Sequence, residues 1–369
     1  MKEMELKYHT YFYKVNFMSS SSKDGHNEEV WNCQESEPFD NYQELSTLDP
    51  QNEKERQEWA KEQEEKEKEN DVVISVRHLT KDYGKGRGIF DVSFDVHKGT
   101  VFGYCGTNGS GKTTTIRHIM GFLKPQSGTV KVMGLDAWKD AAEIKKHIGY
   151  LPGEIAFPQV ESGSEFLKIQ AETLGLEDMS KAEFIINGLQ LDPTANLRRM
   201  SKGMKQKTAI VAAFMHSPDI IILDEPTTGL DPLMRDVFVN IIKAEKARGA
   251  TIFMSNHMFD ELEETCDQVA FIKDGRIIDI VDINKMRNQP YRDYVVVFEN
   301  EKEYQEFNLD EIEILERNDK DLSITFRIEL KKANALIDAF NKCDIKSFTE
   351  KKHTLEEVFI KDIGGHDHE

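Results

Sequence analysis

Ten residues, GTNGSGKTTT at 106–115, constrain this chain more than any other stretch of it. The apolar segment VFGYC precedes them and the helix-forming segment TIRHIMGFL follows, which gives the order strand, glycine loop, helix. Gly106, Gly111, Lys112 and Thr113 have the G-x-x-x-x-G-K-T spacing of a phosphate-binding loop. Glycines let backbone N–H groups turn toward a β-phosphate, lysine neutralises β- and γ-phosphate oxygens, and threonine offers a hydroxyl to Mg²⁺. We therefore expect an α/β fold that binds a nucleotide through this loop.

An apolar strand that ends in two acids can supply the other half of a hydrolytic site. DIIILDEP at 219–226 is apolar up to Asp224 and Glu225. At the edge of a sheet, Asp224 can hold Mg²⁺ through water, and Glu225 can orient or deprotonate an attacking water. A strand that simply ends in acids and a turn has the same local pattern. The phosphate loop upstream favours the metal and water roles.

The segment MSKGMKQK at 200–207 predicts a second helix whose N-terminus suits phosphate. Ser201 is a preferred N-cap residue, Gly203 allows a close backbone approach, and the helix MKQKTAIVAAFM follows. An ordinary capped helix is the alternative interpretation. The position of the segment shortly before ILDEP favours the phosphate-facing one.

Together these motifs resemble the nucleotide-binding subunit of an ATP-binding cassette (ABC) transporter. GTNGSGKTT is similar to the Walker A motif, MSKGMKQK to the LSGGQ signature, IIILDEPTTGLD to Walker B with the D-loop, and SNH to the switch histidine. The similarity spans residues 72–285 in the order of the family. GLDP, MFDELEETCDQVAFIKDGRII and HTLEEVFI further resemble single-cassette ATPases of ABC-2-type exporters.

The resemblance implies a P-loop NTPase cassette with a RecA-like core, an antiparallel β subdomain and a helical signature subdomain at about 155–215. It implies an ATP site formed by Tyr83, Asn108, Gly109, Ser110, Gly111, Lys112, Thr113 and Thr114. Thr113 and Asp224 would hold Mg²⁺, Glu225 would be the base, and His257 would contact γ-phosphate oxygens. The residues implied to act across a dimer interface are Ser201, Gly203 and Gln206 on a partner's ATP, and Asp231 in the D-loop.

Three positions depart from the family pattern. Thr107 replaces a usual proline, where any residue fits, and Lys202 replaces a signature glycine. In YLPGE, Gly153 stands where the Q-loop glutamine is expected, so the side chain that would reach Mg²⁺ is missing. Our hypothesis is that the next residue, Glu154, takes this role; a solvated Glu154, with water filling the gap, is the alternative.

The family works as two cassettes packed head to tail, each Walker A motif facing the other's signature. One chain carries one of each, so the resemblance implies a homo- or heterodimer, and an ABC-2-type membrane permease that contacts grooves near residues 150–175. The implied function is ATP-driven export, performed at the cytoplasmic face of the cell membrane. A soluble ABC ATPase acting on nucleic acid or ribosomes is the alternative, and a degenerate regulatory cassette is a second one. Lys112, Glu225 and His257 argue against degeneracy, and the net charge of −19 disfavours nucleic acid.

Composition divides the 369 residues into three parts. Residues 1–70 carry nine basic and eighteen acidic residues, which predicts a partly disordered extension or, through its aromatics, a docking arm. The cassette is expected at 71–285, with a hairpin around Asp274-Gly275. Alternating strands at 286–369 predict a small α+β domain, whose helix places Leu336, Phe340 and Cys343 on one face, before a disordered tail.

Cysteine spacing and hydropathy bear on the compartment. Four cysteines (Cys33, Cys105, Cys266 and Cys343) show no metal-binding or disulfide spacing, which favours a reducing cytoplasm. The sequence contains no apolar run of the roughly 20 residues that a membrane span needs. In the terminal GGHDHE, a solvated end is favoured over a metal site built on His366 and His368.

Overall fold

The structure is a computed structural model that describes residues 71–309, 312–332, 336, 339–340, 343–351 and 354–366, with side chains as far as residue 360. The predicted extension at 1–70 and the side chains of His366 and His368 lie outside the described residues. None of the helices in the described part of the chain combines the length and the apolar composition that crossing a membrane requires.

A six-stranded sheet forms the centre of the cassette. Its strands are β3 (Val101–Cys105), β6 (Ile148–Leu151), β7 (Ile220–Asp224), β8 (Thr251–Asn256), β9 (Gln268–Lys273) and β10 (Arg276–Asp282). They lie in the order β10-β9-β3-β8-β7-β6, all parallel except β10. β3, β7 and β8 are buried at every position, as expected for parallel strands covered on both faces. Their carboxyl ends therefore meet at one edge of the sheet, where ligands of open α/β folds bind.

The predicted hairpin joins β9 to β10. Lys273 pairs with Arg276, which leaves Asp274 and Gly275 as a two-residue turn. Both turn residues have positive φ, 48° and 76°, as a type I′ turn requires.

A second, antiparallel sheet packs on the central one. It contains β1 (Val72–Asp82), β2 (Gly88–His97), β4 (Ser127–Val132) and β5 (Leu135–Asp136), in the order β2-β1-β4-β5. Phe94 of this sheet stacks on Phe102 at 5.2 Å, and Phe102 stacks on Phe253 of the central sheet at 5.8 Å. These rings join the two sheets into one core beside the phosphate loop.

Helices complete the cassette. They are α1 (Lys112–Ile119), α2 (Ala141–Ile144) with a 3-10 turn at Lys145–His147, α3 (Gly163–Leu174), α4 (Ser180–Gly188), α5 (Lys202–Phe214), α6 (Pro232–Ala247), α7 (Phe259–Thr265) and α8 (Ile283–Arg287). α3 begins where Ser162 Oγ accepts from Glu165 N and Glu165 Oε2 accepts from Glu161 N, and it ends at Gly175 in the left-handed region. α5 packs against α3, α4 and β6, so the signature helix belongs to a helical layer above the sheet edge.

The remaining strands form a separate antiparallel sheet with its own apolar cluster. β11 (Tyr291–Phe298), β12 (Ile312–Asn318), β13 (Ser323–Glu329) and β14 (Ile345–Lys351) lie in the order β12-β13-β11-β14, with α9 (Glu301–Glu306) and a 3-10 turn at Leu330–Lys332. The alternating strands predicted for this part of the chain are confirmed in the segments YVVVFE, EIEILE and LSITFRIE. Leu336 is buried in the cluster, and Phe340 and Cys343 pack against it, as the helical pattern predicted.

The last helix departs from the sequence prediction. α10 (Leu355–His366) extends into the stretch expected to be a disordered tail. Leu355 and Phe359 belong to the cassette's core, where the Phe359 ring lies 5.1 Å from Phe271 and 5.4 Å from Phe259. The HTLEEVFI segment therefore packs back on the cassette rather than on the small sheet.

Candidate active site

The phosphate loop connects β3 to α1 and holds its lysine inside. Gly111 precedes α1 with φ of 115°, and a Cβ atom there would lie 2.6 Å from Ile89 Cγ2, so only glycine fits. Lys112 is 5% exposed, and its ammonium donates to the carbonyl oxygens of Gly106 (2.8 Å) and Thr107 (3.2 Å). Its Nζ also lies 3.4 Å from Glu225 Oε1. The ammonium group of Lys112 is thus bound by protein oxygens whose place a phosphate would take.

The rest of the loop carries the other predicted ATP contacts. Asn108 and Gly109 are exposed at its tip, Ser110 is buried, and Thr114 is half-buried. Tyr83 lies in the connection between β1 and β2 with half of its side chain exposed, as an aromatic that stacks on a base must be. The strand after this connection begins with Gly88 and Ile89, which border Gly111.

A hydroxyl–carboxylate pair forms the predicted metal site. Asp224, at the end of β7, is 1% exposed; its Oδ2 accepts from Thr113 Oγ1 (2.8 Å) and its Oδ1 accepts from Ser255 Oγ (2.6 Å). Hard oxygen donors of this kind are what Mg²⁺ prefers. Thr113 and Asp224 also face a common cavity of ≈ 330 Å³, so the donor set fits the ion.

Glu225 occupies a strained position between Lys112 and His257. Its φ is 50°, in a region that costs a non-glycine residue about 1–2 kcal/mol. Its N–H donates to Ser255 Oγ at 3.0 Å, which keeps the residue in this conformation. One carboxylate oxygen lies 3.4 Å from Lys112 Nζ, and the other lies 3.9 Å from Nδ1 of half-exposed His257. The geometry brings all three predicted residues together.

The cavity beside Asp224 also contains the Q-loop position. Its lining comprises Thr113, Arg117, Tyr150, Pro152, Gly153, Glu154, Asp224 and Glu225. A Cβ atom at Gly153 would lie 3.1 Å from Asp224 Oδ2, so a side chain there requires a small shift of the carboxylate. Burial, with a further contribution from Asp224, raises the pKa of the Tyr150 phenol to about 12.

Sequence reasoning missed Arg117 and Tyr150. The usable signal for Arg117 was its spacing, because a residue four positions after Thr113 lies on the same face of α1.

The signature segment faces outward at the start of α5. Ser201 is exposed and caps the helix by accepting from Met204 N at 3.2 Å. Gly203 touches the D-loop, since a Cβ atom there would lie 2.8 Å from the carbonyl oxygen of Gly229. Asp231 is exposed and caps α6 by accepting from Met234 N at 3.0 Å.

Gln206 requires a correction. It was predicted to contact a partner's ATP, but it is 3% exposed and its Nε2 donates to the carbonyl oxygen of Pro226 at 2.6 Å. Three helical residues beyond Gly203, the side chain points into the subunit and fixes the turn after Glu225. Gln206 is therefore not presented at the signature surface.

The chain is similar to known proteins of one family. Residues 89–228 match the family described as ABC transporter. The bacitracin transport ATP-binding protein BcrA of Bacillus licheniformis is 31% identical over 304 residues, 80% of this chain and 98% of BcrA. The ABC transporter ATP-binding protein NatA of Bacillus subtilis (strain 168) is 38% identical over 202 residues, 52% of this chain and 80% of NatA. A solved ATP-binding subunit of an ABC transporter superposes with a TM-score of 0.54 at 29% identity, covering 59% of this chain and 93% of that one.

A P-loop NTPase fold with a Walker-type site at the sheet edge defines the class of protein. The chain belongs to the ABC transporter family, as an ATP-binding subunit. The predicted fold class is thereby confirmed, and membership of this ATPase family implies ATP binding and hydrolysis.

Proposed function

We propose that this chain hydrolyses ATP with Mg²⁺ and so drives export through a separate ABC-2-type permease, at the cytoplasmic face of the membrane. The observation that carries the proposal is the convergence of Lys112, Thr113, Asp224, Glu225 and His257 at one edge of the parallel sheet. The relative BcrA is named for bacitracin transport, which supports a transport role.

Each residue has a definite task in this proposal. Lys112 leaves the carbonyl oxygens of its own loop and neutralises the β- and γ-phosphates, assisted by the N-terminus of α1. Thr113 and Asp224 would hold Mg²⁺, which when bound would supply positive charge for the phosphate oxygens. Glu225 takes a proton from the attacking water, whose oxygen displaces ADP from the γ-phosphorus. His257, half-exposed and close to Glu225, contacts the γ-phosphate oxygens.

The outward position of the signature segment supports a head-to-tail dimer. Ser201 and Asp231 are exposed helix caps, and helix N-termini attract phosphate. We propose that Ser201 and Gly203 of one chain complete the ATP site of a second nucleotide-binding subunit. A groove of ≈ 280 Å³, bordered by residues 155–160 and by Leu197, Arg198 and Lys205, lies between the Q-loop region and α5. It is the proposed contact for the permease, because both elements adjoin the nucleotide site.

Glu154 is proposed to compensate for the absent glutamine side chain. It is exposed and lines the same cavity as Thr113 and Asp224, which brings an oxygen donor into the correct region. Gly153 itself has no side chain to contact Mg²⁺, and it lies against Asp224.

The test is steady-state ATP hydrolysis by the full-length chain. Glu225→Gln should lower turnover about 10²- to 10⁴-fold while keeping ATP binding, because the amide cannot accept the proton. Glu264→Gln removes an equal charge from an exposed pair with Lys243 and serves as the matched control. Unchanged turnover in Glu225→Gln would show that Glu225 is not the base.

A further inference from the structure

One buried carboxylate connects the two loops that carry the proposed base and the switch histidine. Glu261, on α7, is 8% exposed. Its Oε2 accepts hydrogen bonds from Thr227 Oγ1 at 2.7 Å and from Asn256 Nδ2 at 2.6 Å. Thr227 follows Glu225 by two residues, and Asn256 immediately precedes His257. A single oxygen atom therefore holds the ends of β7 and β8 together behind the active site.

Asn256 transmits this contact to the histidine. Its Oδ1 accepts from the backbone N–H of His257 at 2.7 Å and of Met258 at 3.0 Å. Because Nδ2 faces Glu261 and Oδ1 faces His257, the amide has only one orientation that satisfies both sides. The backbone of His257 is consequently fixed relative to Glu261.

The turn after Glu225 is held in the same way. Thr228, next to Thr227, donates from its backbone N–H to the carbonyl oxygen of Glu225 at 3.2 Å. Its hydroxyl lies 3.4 Å from Glu225 Oε2. A displacement of Thr227 would therefore change both the strained backbone and the carboxylate of the proposed base.

The second carboxylate oxygen of Glu261, Oε1, lacks the hydrogen bonds that Oε2 has. Oε1 is buried without a hydrogen-bond partner among the described residues. It forms an ion pair with Arg235 Nε at 3.9 Å, and that nitrogen also makes no hydrogen bond with them. A buried carboxylate oxygen that accepts no hydrogen bond lowers stability, because the cost of its desolvation is not fully offset. Such a group needs a reason other than stability.

We propose that Glu261 is a positioning residue for ATP hydrolysis, which sets the separation of Glu225 and His257 through Thr227 and Asn256. This inference rests on the proposed function, because it assigns a task to Glu261 only if those two residues act on ATP. Arg235 belongs to α6, which follows the D-loop, so the same carboxylate also adjoins the element that meets a partner cassette.

A reversal of the hydrogen bond between residues 256 and 261 tests the inference. Asn256→Asp alone places a second carboxylate against Glu261 at a buried contact of 2.6 Å. We expect kcat to fall at least about tenfold while KM changes by less than about threefold, because nucleotide-binding groups are untouched. Adding Glu261→Gln supplies an amide nitrogen that can take the place of Oε2 and donate one hydrogen to the carboxylate introduced at position 256. Its second hydrogen can be donated to Thr227 Oγ1, because a hydroxyl can accept as well as donate. The other oxygen of the introduced carboxylate still accepts from His257 N. The double variant should recover kcat to within about threefold of the natural chain.

Three further measurements make each outcome decisive. Glu225→Gln, assayed in parallel, tests the proposed function: full turnover in that variant refutes the base assignment, whatever Asn256→Asp does. With Glu225→Gln inactive, an Asn256→Asp variant of normal kcat overturns the inference. Thermal unfolding of the double variant covers the remaining case, because restored stability without restored kcat would mean that the network is structural only. Glu264→Gln, on the same helix but exposed, should leave kcat unchanged.

Discussion

Replacing Glu225 by glutamine should increase the affinity for ATP as well as stop its hydrolysis. Lys112 Nζ lies 3.4 Å from Glu225 Oε1, so ATP must compete with an ion pair for the lysine. Glutamine keeps the shape of the side chain but removes the charge. The lysine then exchanges only two carbonyl contacts, with Gly106 and Thr107, for phosphate.

The size of the effect follows from the distance and exposure of the pair. Two unit charges at 3.4 Å interact by about 5 kcal/mol at an effective dielectric constant of about 20, which is an upper limit. Because 26% of the Glu225 side chain is exposed, water screens the pair and the net value is closer to about 1 kcal/mol. That difference corresponds to a dissociation constant about fivefold lower in Glu225→Gln.

The assay is equilibrium binding of a non-hydrolysable ATP analogue with Mg²⁺ to the full-length chain. Glu264→Gln is the matched control, since it removes one negative charge from an exposed pair with Lys243 and leaves the Lys112–Glu225 pair intact. Tighter binding in Glu225→Gln alone supports the competition. Equal or weaker binding in Glu225→Gln, or an identical gain in Glu264→Gln, would refute it.

Three other changes have defined outcomes. Glu154→Ala should raise the Mg²⁺ concentration needed for hydrolysis. Adding Gly153→Gln should lower that concentration again, but only partly, because Asp224 must shift to admit a Cβ atom 3.1 Å away. Normal hydrolysis by Glu154→Ala across a Mg²⁺ titration would exclude this role for Glu154. Gly203→Ala should lower the free energy of unfolding by about 1–3 kcal/mol and reduce hydrolysis, because the added methyl group would press on the D-loop backbone. Thermal melts and hydrolysis rates equal to those of the natural chain would contradict this prediction. Burial lowers the pKa of His216, so the unfolded chain binds a proton there more readily than the folded chain, and the free energy of unfolding should decrease as the pH falls below about 6.5. In urea unfolding measured at several pH values, His216→Gln should weaken this dependence on pH. The same dependence in the variant and the natural chain would exclude His216 as its source.

Motifs whose residues are close in sequence could be predicted without a structure. The phosphate loop needs only glycine conformations, a lysine and a threonine within a few positions, and all of these are local properties. The same holds for the hairpin turn at Asp274-Gly275 and for the helix cap at Ser201. Alternation of apolar residues likewise predicted β11 to β13, because the two-residue period of a half-buried strand is visible along the chain.

Other features depend on which segments pack together. β14 was missed because it is an edge strand with little buried side chain, and thus shows no alternation. Gln206 belongs to a motif that suggested an exposed contact, and only the packing of α5 against the turn after Glu225 revealed that its amide is enclosed. The segment that forms α10 was predicted to be part of the small α+β domain, but its apolar side chains pack in the cassette's core. An amphipathic pattern specifies a buried face but not the surface that covers it.

The active site combines both kinds of information. Its residue types, from Lys112 to His257, follow from short motifs that the sequence contains in full. Their convergence does not, since Thr113 and Asp224 are 111 positions apart and meet only because parallel β3, β8 and β7 end at the same edge. The link from Glu261 to Thr227 and Asn256 has no motif at all; it exists because α7 packs its first turn beneath both loops. Local backbone preferences act over a few residues, whereas the position of a carboxylate between two loops is decided by the burial of the whole core.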